Sequence, residues 1–165
     1  MQEPDQAPVI LITGAARRIG AVIAQLFHSQ GYRVIIHYNR SASAADKLCR
    51  ELNNLREDSC LLMQCDLNEI IGLDKIADLV SSIGRLDVLV NNASSFYPTP
   101  INDCDENQWN DLINSNLKGP FFLSQKLAAS LPSIAELSLI SPTCTQDRLY
   151  KTILSIPLPK LATLL

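Results

Sequence analysis

Residues 8–20 read Pro-Val-Ile-Leu-Ile-Thr-Gly-Ala-Ala-Arg-Arg-Ile-Gly, an apolar run that leads into a glycine-containing turn. The run is short and rich in β-branched residues, which is typical of a strand buried on both faces of a sheet. After the turn, apolar residues recur at helical spacing as far as Gln30, and Gly31 follows as a helix stop. The stretch therefore predicts a strand, a tight turn and a helix in direct succession.

The alternation of strand and helix continues along the chain. Further strands are predicted at 33–37, 60–65 and 86–90, and further helices at 44–55, 69–83 and 106–131. Gly119-Pro120 should bend the last helix, because proline lacks a backbone donor. Strands separated by helices of ordinary length favour right-handed crossovers. We therefore predict an α/β fold with a Rossmann-type, doubly wound parallel sheet.

Composition narrows the class of partner. The chain has 165 residues, 47% hydrophobic and 19% charged, which predicts a sizeable core. A net charge of −3 gives no basic field for nucleic acid, so small molecules are the expected partners. The start is polar and acidic and no run of about 20 apolar residues follows, so we expect a cytoplasmic protein without membrane contact. The five cysteines lack C-x-x-C spacing, which favours free thiols and no metal site.

The turn between the first strand and the first helix is a candidate phosphate site. Backbone N–H groups and the helix dipole at such a turn can bind a pyrophosphate. Gly14 permits the tight turn, Gly20 permits close helix packing, and Arg17, Arg18 and Ile19 complete the set. The alternative interpretation is an ordinary glycine turn.

The end of the second strand carries Tyr38-Asn39-Arg40-Ser41. An enzyme that binds NAD places a carboxylate here for the ribose diol, and no carboxylate is present. Arg40 and Ser41 can instead hold a 2′-phosphate, so NADPH is the favoured cofactor. The alternative is a solvated arginine in a loop.

Asp66 and Leu67 follow the third strand. They are candidates for contact with adenine. Asp66 can equally cap the next helix, and the sequence leaves both interpretations open.

The segment after the fourth strand is the most specific. Residues 91–100 read N-N-A-S-S-F-Y-P-T-P and follow the carboxyl end of that strand, the edge at which open α/β sheets bind ligands. Together with T-G-A-A-R-R-I-G at 13–20 and H-Y-N-R-S at 37–41, they resemble the pteridine reductases of the short-chain dehydrogenase/reductase family. The resemblance covers about residues 9–131.

The resemblance implies roles for five residues. Asn92, Ala93 and Ser94 would contact the cofactor, and Ser94 would also contact a pterin. Phe96 would stack on the pterin opposite the nicotinamide, and Asn116 would hold a water in the proton relay. The alternatives are a core aromatic for Phe96 and a satisfied polar helix residue for Asn116.

The resemblance also implies an activity. The expected reaction is hydride transfer from NADPH to a pterin or dihydrofolate-like substrate, and homotetramers are expected of full-length relatives rather than of this chain. Two alternatives stay open. One is a non-catalytic dinucleotide-binding remnant, and the other is a short-chain carbonyl reductase of different specificity.

The chain lacks the Tyr-x-x-x-Lys pair by which this family moves protons. Tyr150 is followed at the fourth position by Leu154, and Lys160 has Ile156 at the matching place. Tyrosine with a pKa near ~10 is a poor acid–base catalyst at neutral pH without such help. We therefore expect little or no turnover from this chain.

Prolines interrupt the apolar sequence that follows the last predicted helix. They stand at Pro132, Pro142, Pro157 and Pro159, where they argue against a regular helix or a central strand. Only residues 136–140 are predicted as a fifth strand. The prediction is an intact N-terminal half of the fold with its second half missing.

A shift of reading frame explains this tail. Reverse translation of residues 133–161 in the neighbouring frame permits a string that contains Y-S-I-A-K, which supplies the missing pair. Our hypothesis is a one-base deletion, or an equivalent shift of frame, near the codons for residues 131–133. It divides the chain into an NADPH-binding domain, residues 1–131, and an aberrant tail, residues 132–165.

Overall fold

The computed structural model describes residues 7–128, together with the backbone of residues 136–145 and 148–157. The elements, in chain order, are β1 (Val9–Ile12), α1 (Arg18–Ser29), β2 (Arg33–Tyr38), α2 (Ala42–Leu55), β3 (Cys60–Gln64), α3 (Ile70–Ile83), β4 (Val88–Asn91), α4 (Glu106–Ile113), a π-helical turn (Asn114–Lys118), α5 (Gly119–Leu127), β5 (Glu136–Thr145) and β6 (Arg148–Pro157).

One sheet contains all six of these strands, in the order β3-β2-β1-β4-β5-β6. The strands β1 to β5 are parallel to one another, and Leu11 of β1 pairs with Ile35 on one side and Leu89 on the other. Because β1 is central and the chain moves outward first to one side and then to the other, the predicted Rossmann-type α/β arrangement is confirmed.

Both faces of the sheet are covered, so alternate residues of β1 enter different cores. Leu11 packs into the cluster formed with α3 and α5, whereas Ile10 and Ile12 pack against α1 and α2. All three side chains are fully buried. This burial accounts for the unbroken apolar run of β1, since a strand covered on both faces has no solvent side.

The helix predicted at 106–131 is two helices joined by the π-helical turn. An α-helical bond from residue 120 would reach the carbonyl of Asn116, but Pro120 has no N–H to donate. The backbone widens instead, and the Gly119 amide donates to the Asn114 carbonyl five positions back. The predicted irregularity is therefore present, and it lies just before the proline, which occupies the first turn of α5.

The strand predicted in the tail was too short. The strand expected at 136–140 extends to Thr145, and the unpredicted β6 pairs with it antiparallel. Only residues 136–139 of β5 also pair with β4, so Pro142 lies where β5 has β6 as its sole partner among the described strands. Pro157 ends β6 at the sheet edge. Prolines are tolerated at such positions because no second ladder requires their donor.

The direction of β6 bears on the second half of the fold. A parallel strand would require a helical crossover, but only two residues separate β5 from β6, and the strands are antiparallel. Within the ranges described, β4 and β5 are joined by a helical crossover, whereas β5 and β6 are not. Tyr150 lies on β6 opposite Thr143, whereas Lys160 is outside the described residues.

Four cysteines, Cys49, Cys60, Cys65 and Cys104, are free thiols, as expected, and the first three are buried. Burial raises the pKa of the Cys65 thiol to about 11, so this sulfur stays protonated. In the part of the chain that the structure covers, His, Cys, Asp and Glu do not gather in groups of three or more suited to a metal ion. No helix there has the length and apolar character needed to cross a membrane.

Candidate functional site

A cleft of about 790 Å³ opens at the carboxyl ends of β1, β2, β3 and β4. It contains all fourteen residues that the sequence assigned to cofactor binding: Gly14, Arg17, Arg18, Ile19, Gly20, Tyr38, Asn39, Arg40, Ser41, Asp66, Leu67, Asn92, Ala93 and Ser94. These residues are scattered over eighty positions of sequence, and the parallel sheet brings them to one edge.

Two glycines of the turn have no room for a side chain. Gly14 has φ +63°, and a Cβ there would lie 3.0 Å from the Ala93 Cα. A Cβ on Gly20 would lie 2.7 Å from the Gly14 oxygen and 2.8 Å from the Ala15 Cα. The turn can therefore bend tightly and α1 can approach β1 closely only because both positions are glycine.

A partly buried polar network joins the ends of β1 and β4. The Thr13 hydroxyl oxygen accepts from the backbone N–H groups of Asn92 and Ala93, both at 2.9 Å. In return the Asn92 side-chain amide donates to the Thr13 carbonyl at 2.8 Å and to the Gly14 carbonyl at 3.2 Å. The Asn92 side chain thus holds the cleft floor together, and Thr13, which the sequence did not single out, is part of the same network.

The wall beside α1 is cationic. Arg17, Arg18 and Arg40 are exposed and line the cleft. The Arg17 guanidinium donates from Nε to the Ser41 hydroxyl at 3.0 Å, and its Nη2 donates to the same oxygen. No acidic residue occupies the first turn of α1, whose first amides have no intrahelical acceptor. Guanidinium groups and free amides together favour an anion such as phosphate.

The two interpretations of Asp66 are resolved in part. Its carboxylate accepts from the Asn68 backbone N–H at 3.0 Å, while α3 begins after Glu69 and has no side-chain cap. Asp66 therefore organises the turn that follows β3 and does not cap the helix. Together with Leu67 it lines the cleft, where contact with a ligand remains a prediction.

Phe96 and Asn116 lie beside the cleft, outside its lining. The Asn116 side-chain amide donates to the Ser95 carbonyl at 2.7 Å. On the other side of Phe96, the Tyr97 hydroxyl donates to the Asp111 carboxylate, which belongs to the cleft. Phe96 itself is 65% exposed, so it is not a core aromatic. The loop is anchored on both sides of an outward-facing ring.

Comparison of the sequence with known families gives a direct match. The sequence model of the short chain dehydrogenases matches residues 8–136. The chain belongs to the short-chain dehydrogenase family.

Individual relatives of this short-chain dehydrogenase carry different names. It is 37% identical to a pteridine reductase 1 of Leishmania tarentolae over 154 aligned positions, covering 74% of this chain and 53% of that protein. It is 36% identical to a 3-oxoacyl-(acyl-carrier-protein) reductase of Staphylococcus aureus over 118 positions, covering 70% of the chain and 47% of the relative. An uncharacterized oxidoreductase of Staphylococcus aureus is 29% identical over 131 positions, covering 79% and 54%.

These relatives extend beyond the part of their sequence that the chain matches. The short-chain dehydrogenase described above spans about half the length of the curated relatives it matches. The matched half contains the cleft, because the family match begins before β1 and ends at the first residue of β5.

Sequence reasoning did not assign six residues that line this short-chain dehydrogenase's cleft: Ala16, His37, Asn68, Ser95, Asp111 and Ser115. His37, near the end of β2, is 2% exposed and lines the cleft from beneath. Its Nδ1 accepts from the Gly14 N–H at 3.2 Å, and its Nε2 lies 3.2 Å from the Cys65 carbonyl. A histidine after three apolar strand residues was the available signal, since a buried polar group needs partners.

Proposed function

We propose that this chain is the dinucleotide-binding part of an NADPH-dependent oxidoreductase, which reduces a pterin or dihydrofolate-like substrate by hydride transfer. The observation that carries the proposal is the cationic wall of the cleft. Arginines stand there in place of the carboxylate that would bind an unphosphorylated ribose.

The preference for NADPH rests on Arg17, Arg40 and Ser41. The Ser41 oxygen accepts from Arg17, so its own proton is available for an anionic oxygen. A 2′-phosphate carries the charge and the acceptors that two guanidinium groups and this hydroxyl match. An uncharged ribose offers no comparable partner.

The rest of the cleft fits the remaining parts of a dinucleotide. Its volume, about 790 Å³, lies within the range of small-molecule sites, about 300–1,000 Å³. The amides at the start of α1 would hold the pyrophosphate, Asp66 and Leu67 would contact adenine, and Ser94, which also lines the cleft, would contact the substrate. When bound, the nicotinamide supplies the hydride, and the chain's residues supply binding and orientation.

The choice of a pterin-like substrate rests on the loop at 92–100. Phe96 is outward-facing and anchored from both sides, which suits stacking on a flat heteroaromatic ring. The same loop carries the resemblance to pteridine reductases, and one relative bears that name at 37% identity. Ser94 would add a hydrogen bond to both cofactor and pterin.

A second candidate function is reduction of a carbonyl group in a different substrate. It is favoured by the 36% identity to a 3-oxoacyl-(acyl-carrier-protein) reductase. The two candidates differ in their response to pterins. Displacement of a bound pterin analogue by dihydrofolate supports the first candidate, whereas displacement by acyl thioesters alone supports the second.

For the chain as it stands we propose binding without turnover. Asn116 is the single member of the family's catalytic set that the sequence retains, because Tyr-x-x-x-Lys is missing. A steady-state assay should find no NADPH-dependent pterin reduction above background. Reduction at ordinary enzymatic rates would contradict this part of the proposal.

We also propose that residues 1–131 form the dinucleotide-binding domain and that residues 132–165 are an out-of-frame tail. Two observations support the division. The family match ends at residue 136, and β6 returns antiparallel where the fold needs a helical crossover. DNA sequencing across the codons for residues 116–165 tests it, and an alternate frame without Y-S-I-A-K would rule out the shift.

The experiment that tests the proposed function is a calorimetric titration of the whole chain, once with NADPH and once with NADH. We expect NADPH to bind at least about tenfold more tightly, since a phosphate held by guanidinium donors contributes about 1.5–3 kcal/mol per charged hydrogen bond. Raising the salt concentration should weaken the binding of NADPH more than the binding of NADH, because the extra contacts of NADPH are ionic. Equal affinities would contradict the assignment of NADPH.

A further inference from the structure

The imidazole of His37 connects two parts of the cleft that are far apart in sequence. Nδ1 accepts the N–H of Gly14, which begins the glycine turn, and Nε2 lies against the carbonyl of Cys65, the residue before Asp66. The backbone carbonyl of His37 accepts from the Ala15 amide at 2.9 Å. One residue therefore fixes the first two amides of the turn.

These contacts define the state of the ring. An acceptor at Nδ1 and a donor at Nε2 require the uncharged tautomer with its proton on Nε2. Burial is the main influence on the pKa of His37 and lowers it to about 4, while the Cys65 carbonyl and the charge of Asp66 act weakly in the other direction. The imidazole is neutral at ordinary pH, and both of its nitrogens are satisfied.

We propose that His37 is a positioning residue of the dinucleotide cleft, which holds the phosphate-binding turn in shape through its Nδ1 contact with Gly14. The proposal rests on the proposed dinucleotide function and extends it to a residue that would not touch the ligand's phosphates itself. It assigns the two ring nitrogens different importance for binding.

The reason lies in the left-handed backbone of Gly14. With φ +63° this residue is free to rotate, and its N–H points into the protein toward the ring. Without an acceptor, that partly buried N–H would turn toward water. The adjoining residues Arg17 to Gly20 would turn with it, and their amides are the ones placed to receive the pyrophosphate.

Two substitutions separate the ring nitrogens. In His37→Asn the side-chain oxygen can occupy the place of Nδ1, so Gly14 keeps an acceptor while the Cys65 contact is lost. In His37→Gln the terminal group reaches the place of Nε2, so the Cys65 contact is kept while Gly14 loses its acceptor. The matched control is His28→Gln, since His28 is also buried, contacts Ser59 at 2.7 Å and does not line the cleft.

The measurement is the dissociation constant for NADPH, with urea unfolding in parallel. We expect His37→Gln to weaken binding roughly tenfold and His37→Asn to recover most of that loss, as expected for one hydrogen bond that positions the site. His28→Gln should lower stability and leave the dissociation constant unchanged. A purely structural role would weaken binding in proportion to lost stability in every variant.

Each other outcome has a definite meaning. If the wild-type chain binds NADPH and the two His37 substitutions weaken that binding equally, or not at all, the positioning role is wrong and the proposed function stands. If wild type binds no dinucleotide, the proposed function fails, and the role of His37 fails with it.

If the His37 variants do not fold, the proposal is tested on the wild-type chain. Its histidine ¹⁵N spectrum should show His37 as the Nε2–H tautomer, with an Nδ1 resonance that moves when NADPH is added while the His28 resonances stay in place. An Nδ1–H tautomer, or an Nδ1 resonance indifferent to NADPH, would overturn the proposal.

Discussion

The side-chain amide of Asn116 donates to the backbone carbonyl of Ser95 at 2.7 Å, across twenty-one positions of sequence. The bond joins the π-helical turn to the loop that presents Phe96. Tyr97 makes the second anchor through its hydrogen bond to Asp111. Burial raises the pKa of the tyrosine, and the hydrogen bond to Asp111 and the charge of that carboxylate act in the same direction. A residue matched by resemblance to a proton relay therefore also shapes the neighbouring loop.

Replacing Asn116 with alanine should loosen that loop. The Ser95 carbonyl loses its donor, which should cost about 1 kcal/mol of unfolding free energy. Amide hydrogen exchange in residues 92–100 should become faster, whereas exchange in residues 14–20 should be unchanged. Ser115→Ala is the control, because among the described residues its hydroxyl donates to the Asp111 and Leu112 carbonyls of its own helical segment. Equal exchange in both variants would show that the anchor does not restrain the loop.

Gly20→Ala should disrupt the turn, since the new Cβ would meet backbone atoms at 2.7 and 2.8 Å. We expect a loss of about 1–3 kcal/mol in unfolding free energy and loss of NADPH binding. Gly31→Ala is the matched comparison, because nothing lies within 4 Å of its added Cβ and the cost comes from its φ of +93° alone. That variant should still bind NADPH. Retained binding in Gly20→Ala would contradict the close packing of α1 on β1.

Arg40→Asp should change the preferred cofactor. A carboxylate at the end of β2 repels a 2′-phosphate and accepts from the ribose hydroxyls of NADH. We expect NADPH affinity to fall at least about tenfold and NADH affinity to hold or rise, as measured by calorimetry at low salt. Arg50→Asp controls for net charge, because Arg50 is exposed on α2 and lies outside the cleft. A uniform change for both nucleotides would speak against the phosphate assignment.

Stability should fall as the solution is made acidic, and His37 should be a main cause. Its pKa is about 4 in the folded chain and about 6.5 when exposed, so the unfolded state takes up a proton first. The stabilisation is complete above about pH 6.5 and is lost progressively as the pH falls to about 4, by about 3 kcal/mol in all. Urea unfolding across this range measures the slope.

The histidine variants identify the source of that slope. His37→Asn should remove most of it. A smaller part should persist from His28, whose pKa is lowered by burial and then by the charge of Arg56. An unchanged slope in His37→Asn would mean that the ring titrates normally and that its contacts do not exclude the proton.

Local patterns were sufficient to predict the parallel strands β1 to β4 and fourteen of the residues that line the cleft. The apolar runs of β1 to β4, the helical periodicity between them and the glycines at 14 and 20 are each readable from neighbouring residues. Parallel strands place their carboxyl ends at one edge, so segments after successive strands must converge there. That rule gathered the fourteen predicted cofactor residues without knowledge of any long-range contact.

The tail was harder to predict because the rule that excludes proline from strands applies to central strands, which pair on both sides. Whether Pro142 is excluded depends on how many neighbours its strand has at that point, and the pairing of β5 with β4 stops at residue 139. The bend at Gly119-Pro120 was predicted, but its form was not: the donor that Pro120 lacks would bond one turn earlier, where the backbone forms a π-helical turn. The extent of β5 depends on strand partners that the local sequence does not reveal.

The sequence by itself determined the order of β1 to β4 and of the helices between them, the position of the glycine turn and the cationic character of the site, because these depend on residues close together in the chain. Only the tertiary structure decided what His37, Asn92 and Asn116 do. Each of these side chains bonds to backbone groups 21 or more positions away. Hydrogen bonds are short and directional, so such partners are fixed only when the sheet has brought distant segments within about 3 Å of each other.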